Sequence, residues 1–145
     1  MTQYATVNAA ATVLEHRTVC SGRASELELM ANQALASMYT AGARVLVSAE
    51  LSGGGDGNEY SITLEATTVV NLGSNFYQGD DSAAILPELG LCEIFVFEVG
   101  SPRDVDTQWN IALGRVSGAV YSTDLAGTSK GQNVGGMIVA AHGPR

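Results

Sequence analysis

Hydrophobic positions change their spacing several times along this chain, and each change marks an element. Between residues 25 and 42, Leu27, Met30, Ala31, Ala34, Leu35, Met38 and Ala41 recur three and four apart, the interval of one helical face. Ser25 stands where an N-cap would stand, and Glu28 three positions later completes a capping box. Glu26 adds a second carboxylate to the first turn, and Gly42 supplies a left-handed C-cap. The spacing predicts a helix from about Glu26 to Ala41.

The interval then shortens to two. Val45, Val47, Ala49 and Leu51 alternate with polar neighbours, and so do Tyr60, Ile62, Leu64 and Ala66. Between them lies Ser52-Gly-Gly-Gly-Asp-Gly-Asn58, rich in residues that tolerate positive φ. Together they predict a β-hairpin with one face buried on the helix and one polar face. Residues Asn71 to Gly90 carry no period and read as a long irregular loop, of a length that is usually functional or covered by a partner. Leu91 to Val99 reads as a central strand, with Leu91, Phe95, Phe97 and Val99 on one side and Cys92, Ile94 and Val96 on the other. Trp109, Ile111 and Leu113 alternate, and Val116, Gly118 and Val120 continue on the other parity, which predicts a strand over 107–121 bulged near Gly114. Thr123 to Asn133 reads as a polar loop and Gly136 to Ala141 as a short buried strand. Tyr4 to Val19 mixes β-branched residues with alanines and suits an extended arm or edge strand. The expected architecture is α+β, one amphipathic helix packed on a mainly antiparallel β-sheet, with residues 1–20 as arm or edge strand and 21–145 as a single domain.

Composition narrows the function classes. A hydrophobic share of 46% supports a packed core, while only 15% of the 145 residues are charged, below the ~25% of ordinary soluble domains. A surface so short of charge uses hydroxyls, amides and glycine, or is covered by another protein. The net charge of −8 argues against nucleic acid and anionic membranes, and suits a basic partner surface. The opening residues predict no secretory signal, and the longest apolar stretch, Ala83 to Val99, is broken by Pro87, Glu88, Glu93 and Glu98, so no membrane span is expected. Cys20 and Cys92 suggest no disulfide framework and read as free, buried thiols in a reducing compartment.

Candidate chemistry is sparse. His16 and Cys20 have a spacing that could share a metal, with Cys92 and His142 as distant partners, but zinc signatures carry two close pairs. A cysteine nucleophile built from Cys20 and His142 has no support in its neighbourhood. Ser117, in Gly114-Arg-Val-Ser-Gly118, is one residue short of a nucleophile elbow, and Lys130 lacks phosphate-loop spacing. Asp56, Asn58, Glu59, Asp80 and Asp81 offer oxygen ligands without an EF-hand pattern. No catalytic residue, cofactor or metal is assigned.

A small acidic chain with few charges, much Ala, Gly, Ser and Thr, long polar loops and an N-terminal arm resembles the structural proteins of tailed bacteriophage particles: head decoration, head-completion or tail proteins. The resemblance is one of character over the whole chain. It implies a virion protein assembled in the host cytoplasm, a homo-oligomer docked on a major capsid or tail protein, without catalytic residues. Tyr4 and Val7 in the arm, and Phe76 and Tyr77 in the long loop, are the expected partner-binding residues. The alternative class is a small enzyme or ligand-binding domain with a site between helix and sheet, using Tyr60, Trp109, Cys20 or His142. A third is a host-side regulatory or adaptor protein.

Overall fold

The computed structural model describes residues 4–8, 16–53, 59–68, 83–127 and 133–142, with the backbone alone at 4–8 and 83–86. Its elements in chain order are β1 (Tyr4–Asn8), β2 (His16–Arg23), α1 (Ala24–Thr40), β3 (Val45–Gly53), β4 (Glu59–Thr67), β5 (Ala83–Pro87), β6 (Cys92–Val99), α2 (Val105–Arg115), β7 (Val120–Gly127) and β8 (Val134–Ala141). Single 3-10 turns at Leu89–Leu91 and Pro102–Asp104 lead into β6 and α2. All strand pairs are antiparallel: β2-β4-β3 form one sheet, β6-β8-β7 a second, and β1-β5 a separate two-stranded ribbon. The class is α+β as the sequence predicts, but two sheets and two helices replace one helix on one sheet.

The predicted hairpin is β3–β4. Tyr60, Ile62, Leu64 and Ala66 all face the core, as their alternation requires. Val47 does not stay on the buried side. The register shifts between Leu46 and Ser48, which buries Leu46 beside Val45 and leaves Val47 half-buried.

Helix α1 buries Leu27, Ala31, Ala34, Leu35 and Met38 in the main core, packing on β6 and β2 and, of the hairpin, on β4. Its C-terminus is closed by Gly42 at φ 113° and by the Ala43 N–H donating to the Met38 carbonyl at 2.9 Å. The capping box is not formed. The helix begins at Ala24 with Arg23 as N-cap and no side-chain cap bond, which places Ser25 inside the first turn.

The stretch 107–121, expected as a bulged strand, is instead helix α2 followed by a short connection into β7. Trp109, Ala112, Leu113 and Val116 are three and four apart, and they cover Phe95, Ile138 and Ala140 on the outer face of the second sheet. Pro102 opens the preceding turn, and Asp106 and Arg115 sit at the ends the helix dipole favours. The apparent alternation breaks at Ile111, which is 56% exposed. The polar segment expected as a loop from Thr123 also begins as strand, because β7 runs to Gly127. Strand β6 lies at the edge of its sheet rather than in the middle, and the central strand is β8, buried from Gly135 to Ala141.

The layers follow. The first sheet covers α1 and the inner face of the second sheet, with Cys92, Ile94, Val96, Met137 and Val139 completing the main core. Between the sheets, the Tyr60 ring lies against Gly135, where an added Cβ would meet the ring at 2.7 Å. Helix α2 forms the outermost layer on the other side.

Candidate functional site

Three sites have enough chemistry to weigh. The first is the junction of α1, β6 and α2. As an edge strand, β6 has N–H and C=O groups that no neighbouring strand pairs, and α1 supplies side chains to them. The Asn32 amide accepts from the Ile94 N–H at 2.9 Å and donates to the Ile94 carbonyl at 2.8 Å, as a paired strand would. One turn earlier, the Glu28 carboxylate accepts from the Val96 N–H at 2.9 Å. The same carboxylate receives both arms of Arg115 from the end of α2, at 3.0 and 2.6 Å, and this hydrogen bonding raises the guanidinium pKa. Arg115 also lies over the Phe95 ring, 5.1 Å from its centroid. This is a structural clasp. It uses the carboxylate that sequence reasoning assigned to a capping box. The signal for Asn32 was an amide in mid-helix, where such residues are disfavoured unless they bond off the helix.

The second is a groove of about 530 Å³ between the C-terminal half of α1 and the start of β6, lined by Asn32, Tyr39, Thr40, Cys92, Glu93 and His142. His142 Nδ1 lies 3.0 Å from Glu93 Oε2. Cys92 donates to the Glu88 carbonyl at 3.3 Å, and burial pushes its thiol up to about 12. A thiol held in its neutral form this firmly is a poor nucleophile at neutral pH. Cys20 sits apart in β2, its Sγ 3.7 Å from the Met30 carbonyl, and burial raises its pKa too. Both cysteines are free and buried.

The four residues proposed for a site between helix and sheet do not converge. Tyr60 is sealed in the core and Cys20 lies in β2. Trp109 lies under α2 against Phe97, their rings edge-on at 5.5 Å, and His142 lies in the groove. The Tyr60 hydroxyl has no partner in hydrogen-bond geometry, although burial first and the Glu98 carboxylate second raise its pKa. Among the described residues no three metal-ligating side chains gather, so His16 and Cys20 hold no such cluster. Ser117 is in the connection between α2 and β7 and Glu59 is exposed at the start of β4; Lys130, Asp56, Asn58, Asp80 and Asp81 lie outside the described residues.

The third is the ribbon. The arm and the long loop, the two segments expected to meet a partner, meet each other along their described stretches: Tyr4 opposes Pro87 and Val7 opposes Ala84. Part of the region read as irregular is therefore strand β5. Phe76 and Tyr77 lie outside the described residues. Strand β5 leads into the first sheet through a bridge between Val45 and Glu88 and a 2.8 Å bond from the Leu89 N–H to the Arg44 carbonyl. Among the described residues no helix is long and apolar enough to cross a membrane. No family model matches the chain, and no curated protein or solved structure matches it.

Proposed function

We propose that this protein is a non-catalytic assembly component that works as a homo-oligomer, of the kind that decorates or completes the head or tail of a tailed bacteriophage particle and docks on a major capsid or tail protein. The carrying observation is that β1 and β5 form a sheet of their own instead of joining either three-stranded sheet. A two-stranded ribbon is marginal in water and gains stability by lying on another surface. The dispersal of Cys20, Tyr60, Trp109 and His142, and the firmly protonated thiols, point the same way. So does a surface with few charges, 15% of the chain. The virion assignment rests on that compositional character.

The test compares full-length protein with a chain lacking residues 2–13, by melting temperature and by mass in light scattering. The expected result is a truncated domain that still folds, because β2, α1, β3, β4 and the second sheet carry the core, but that forms smaller assemblies or no longer binds the particle. Unchanged mass together with unchanged particle binding refutes the reading.

A further inference from the structure

Among the described residues the two three-stranded sheets, set apart from the β1–β5 ribbon, have four outer edges, and three of them are met by other groups. The β6 edge is met by Asn32 and Glu28 of α1. The β3 edge is bridged to Glu88 at its start and, further along, donates the Leu51 N–H to Asp124 Oδ2 of β7 at 2.9 Å, so β3 and β7 cover one another. The fourth edge belongs to β2, which pairs with β4 alone among the described residues.

This strand lacks two of the features that blunt an open edge, proline and a bulge, and the charges it carries are those of Arg17 and Arg23. It contains no proline, lysine or register shift over its eight residues, whereas β3 and β7 are both irregular. Its outward-facing side carries Arg17, Val19, Ser21 and Arg23, all exposed, and Val19 is the sole apolar one, at 48% exposure. On the outer face of the sheet beside it, Glu65, Thr63, Ser61 and Glu59 of β4 stand opposite Arg17, Val19, Ser21 and Arg23, with Ser21 bonded to Ser61 at 3.0 Å.

We infer that β2 pairs antiparallel with β2 of a second copy about a two-fold axis, joining two three-stranded sheets into one six-stranded sheet. A two-fold fixes which registers are allowed, and the one centred on Val19 is self-complementary. Val19 meets its own mate, Arg17 faces Ser21 and His16 faces Gly22, so no like charges stand opposite. Apolar contact falls at the axis and main-chain hydrogen bonds run along both sides. The inference rests on the homo-oligomer reading above and names its interface.

A Val19→Cys variant tests it directly. Opposed Cα atoms in an antiparallel pair lie about 4.5–5.5 Å apart, within the span a disulfide bridges. Mild oxidation should give near-complete covalent dimer in Val19→Cys, while wild type, with its buried Cys20 and Cys92, and a Glu50→Cys control on β3 stay monomeric on non-reducing gels. A Val19→Lys variant places like charges at the axis and should halve the native mass with no change in melting profile of the protomer. If wild type is itself monomeric by light scattering, the homo-oligomer reading falls and this interface with it. If wild type is oligomeric but Val19→Cys does not cross-link and Val19→Lys does not dissociate, this interface is wrong while the oligomer stands, and sensitivity to the 2–13 deletion then assigns assembly to the ribbon.

Discussion

Asn32 and Glu28 show how much one side chain can do when it meets an open strand edge. Asn32→Ala removes both partners of Ile94, a residue with no exposed surface, and should cost about 1–3 kcal/mol in denaturant unfolding. The order of effects on α1 reverses from what a capping box would give. Ser25→Ala should stay within roughly 0.5 kcal/mol of wild type, because its side chain makes no cap bond. Glu28→Ala should cost about 1–3 kcal/mol, since it orphans the Val96 N–H as well as releasing Arg115. Arg115→Ala should be milder, within about 1 kcal/mol, because that side chain is 49% exposed and water screens the pair. Equal losses in all three variants would refute the clasp. Cys92 adds a pH dependence. In the unfolded chain its thiol ionises near pH 9, while in the fold it stays neutral to about 12, so the folded state binds the extra proton between those values. Stability is full below pH 9 and falls as pH rises through that window, by up to about 1.4 kcal/mol per unit. Unfolding midpoints at pH 8 and 10 should therefore diverge less in Cys92→Ala than in wild type; parallel curves would remove the thiol from the account.

At the scale of elements, α1, the β3–β4 hairpin, β6 and β8 were legible because their apolar residues hold one period for at least a full strand or several helical turns. The hairpin retains the expected sensitivity: Ile62→Ala, fully buried on β4, should cost on the order of 2–4 kcal/mol, read by thermal or chemical unfolding. Helix α2 was misread because Trp109, Ile111 and Leu113 alternate over five residues, while the decisive helical contacts, Ala112 and Val116, are small or sit past the end of that window. Leu46 was misread for a different reason. A bulge moves a side chain across the sheet without changing the amino-acid pattern, and nothing in Val45-Leu-Val-Ser48 announces it. The clasp was hidden more deeply, since it joins Glu28 to Arg115 across 87 positions and depends on a strand edge that exists only once the sheet order is known. Gly135 carries a comparable hidden constraint: Gly135→Ala should destabilise by about 1–3 kcal/mol, because its Cβ would enter the Tyr60 ring between two sheets that cannot both yield.

Across the whole molecule, stability is distributed unevenly, and that distribution bears on function. Strand β8 has neighbours on both edges, the main core on one face and α2 on the other. Strands β1 and β5 have each other and the short bridge at Glu88. Amides in β8 from Met137 to Ala141 should exchange only through global unfolding, whereas those of the ribbon should exchange through local opening at much lower free energy. Hydrogen exchange at dilution low enough to dissociate assemblies reads both classes in one experiment, and repeating it at high concentration adds the functional dimension. If assembly uses the ribbon, its protection should rise with concentration while β8 stays unchanged; if assembly uses β2, the concentration-dependent protection should appear between His16 and Arg23 instead. A ribbon already as protected as β8 in the dilute protein would make it part of the cooperative core, and the docking role proposed for it would lose its physical basis.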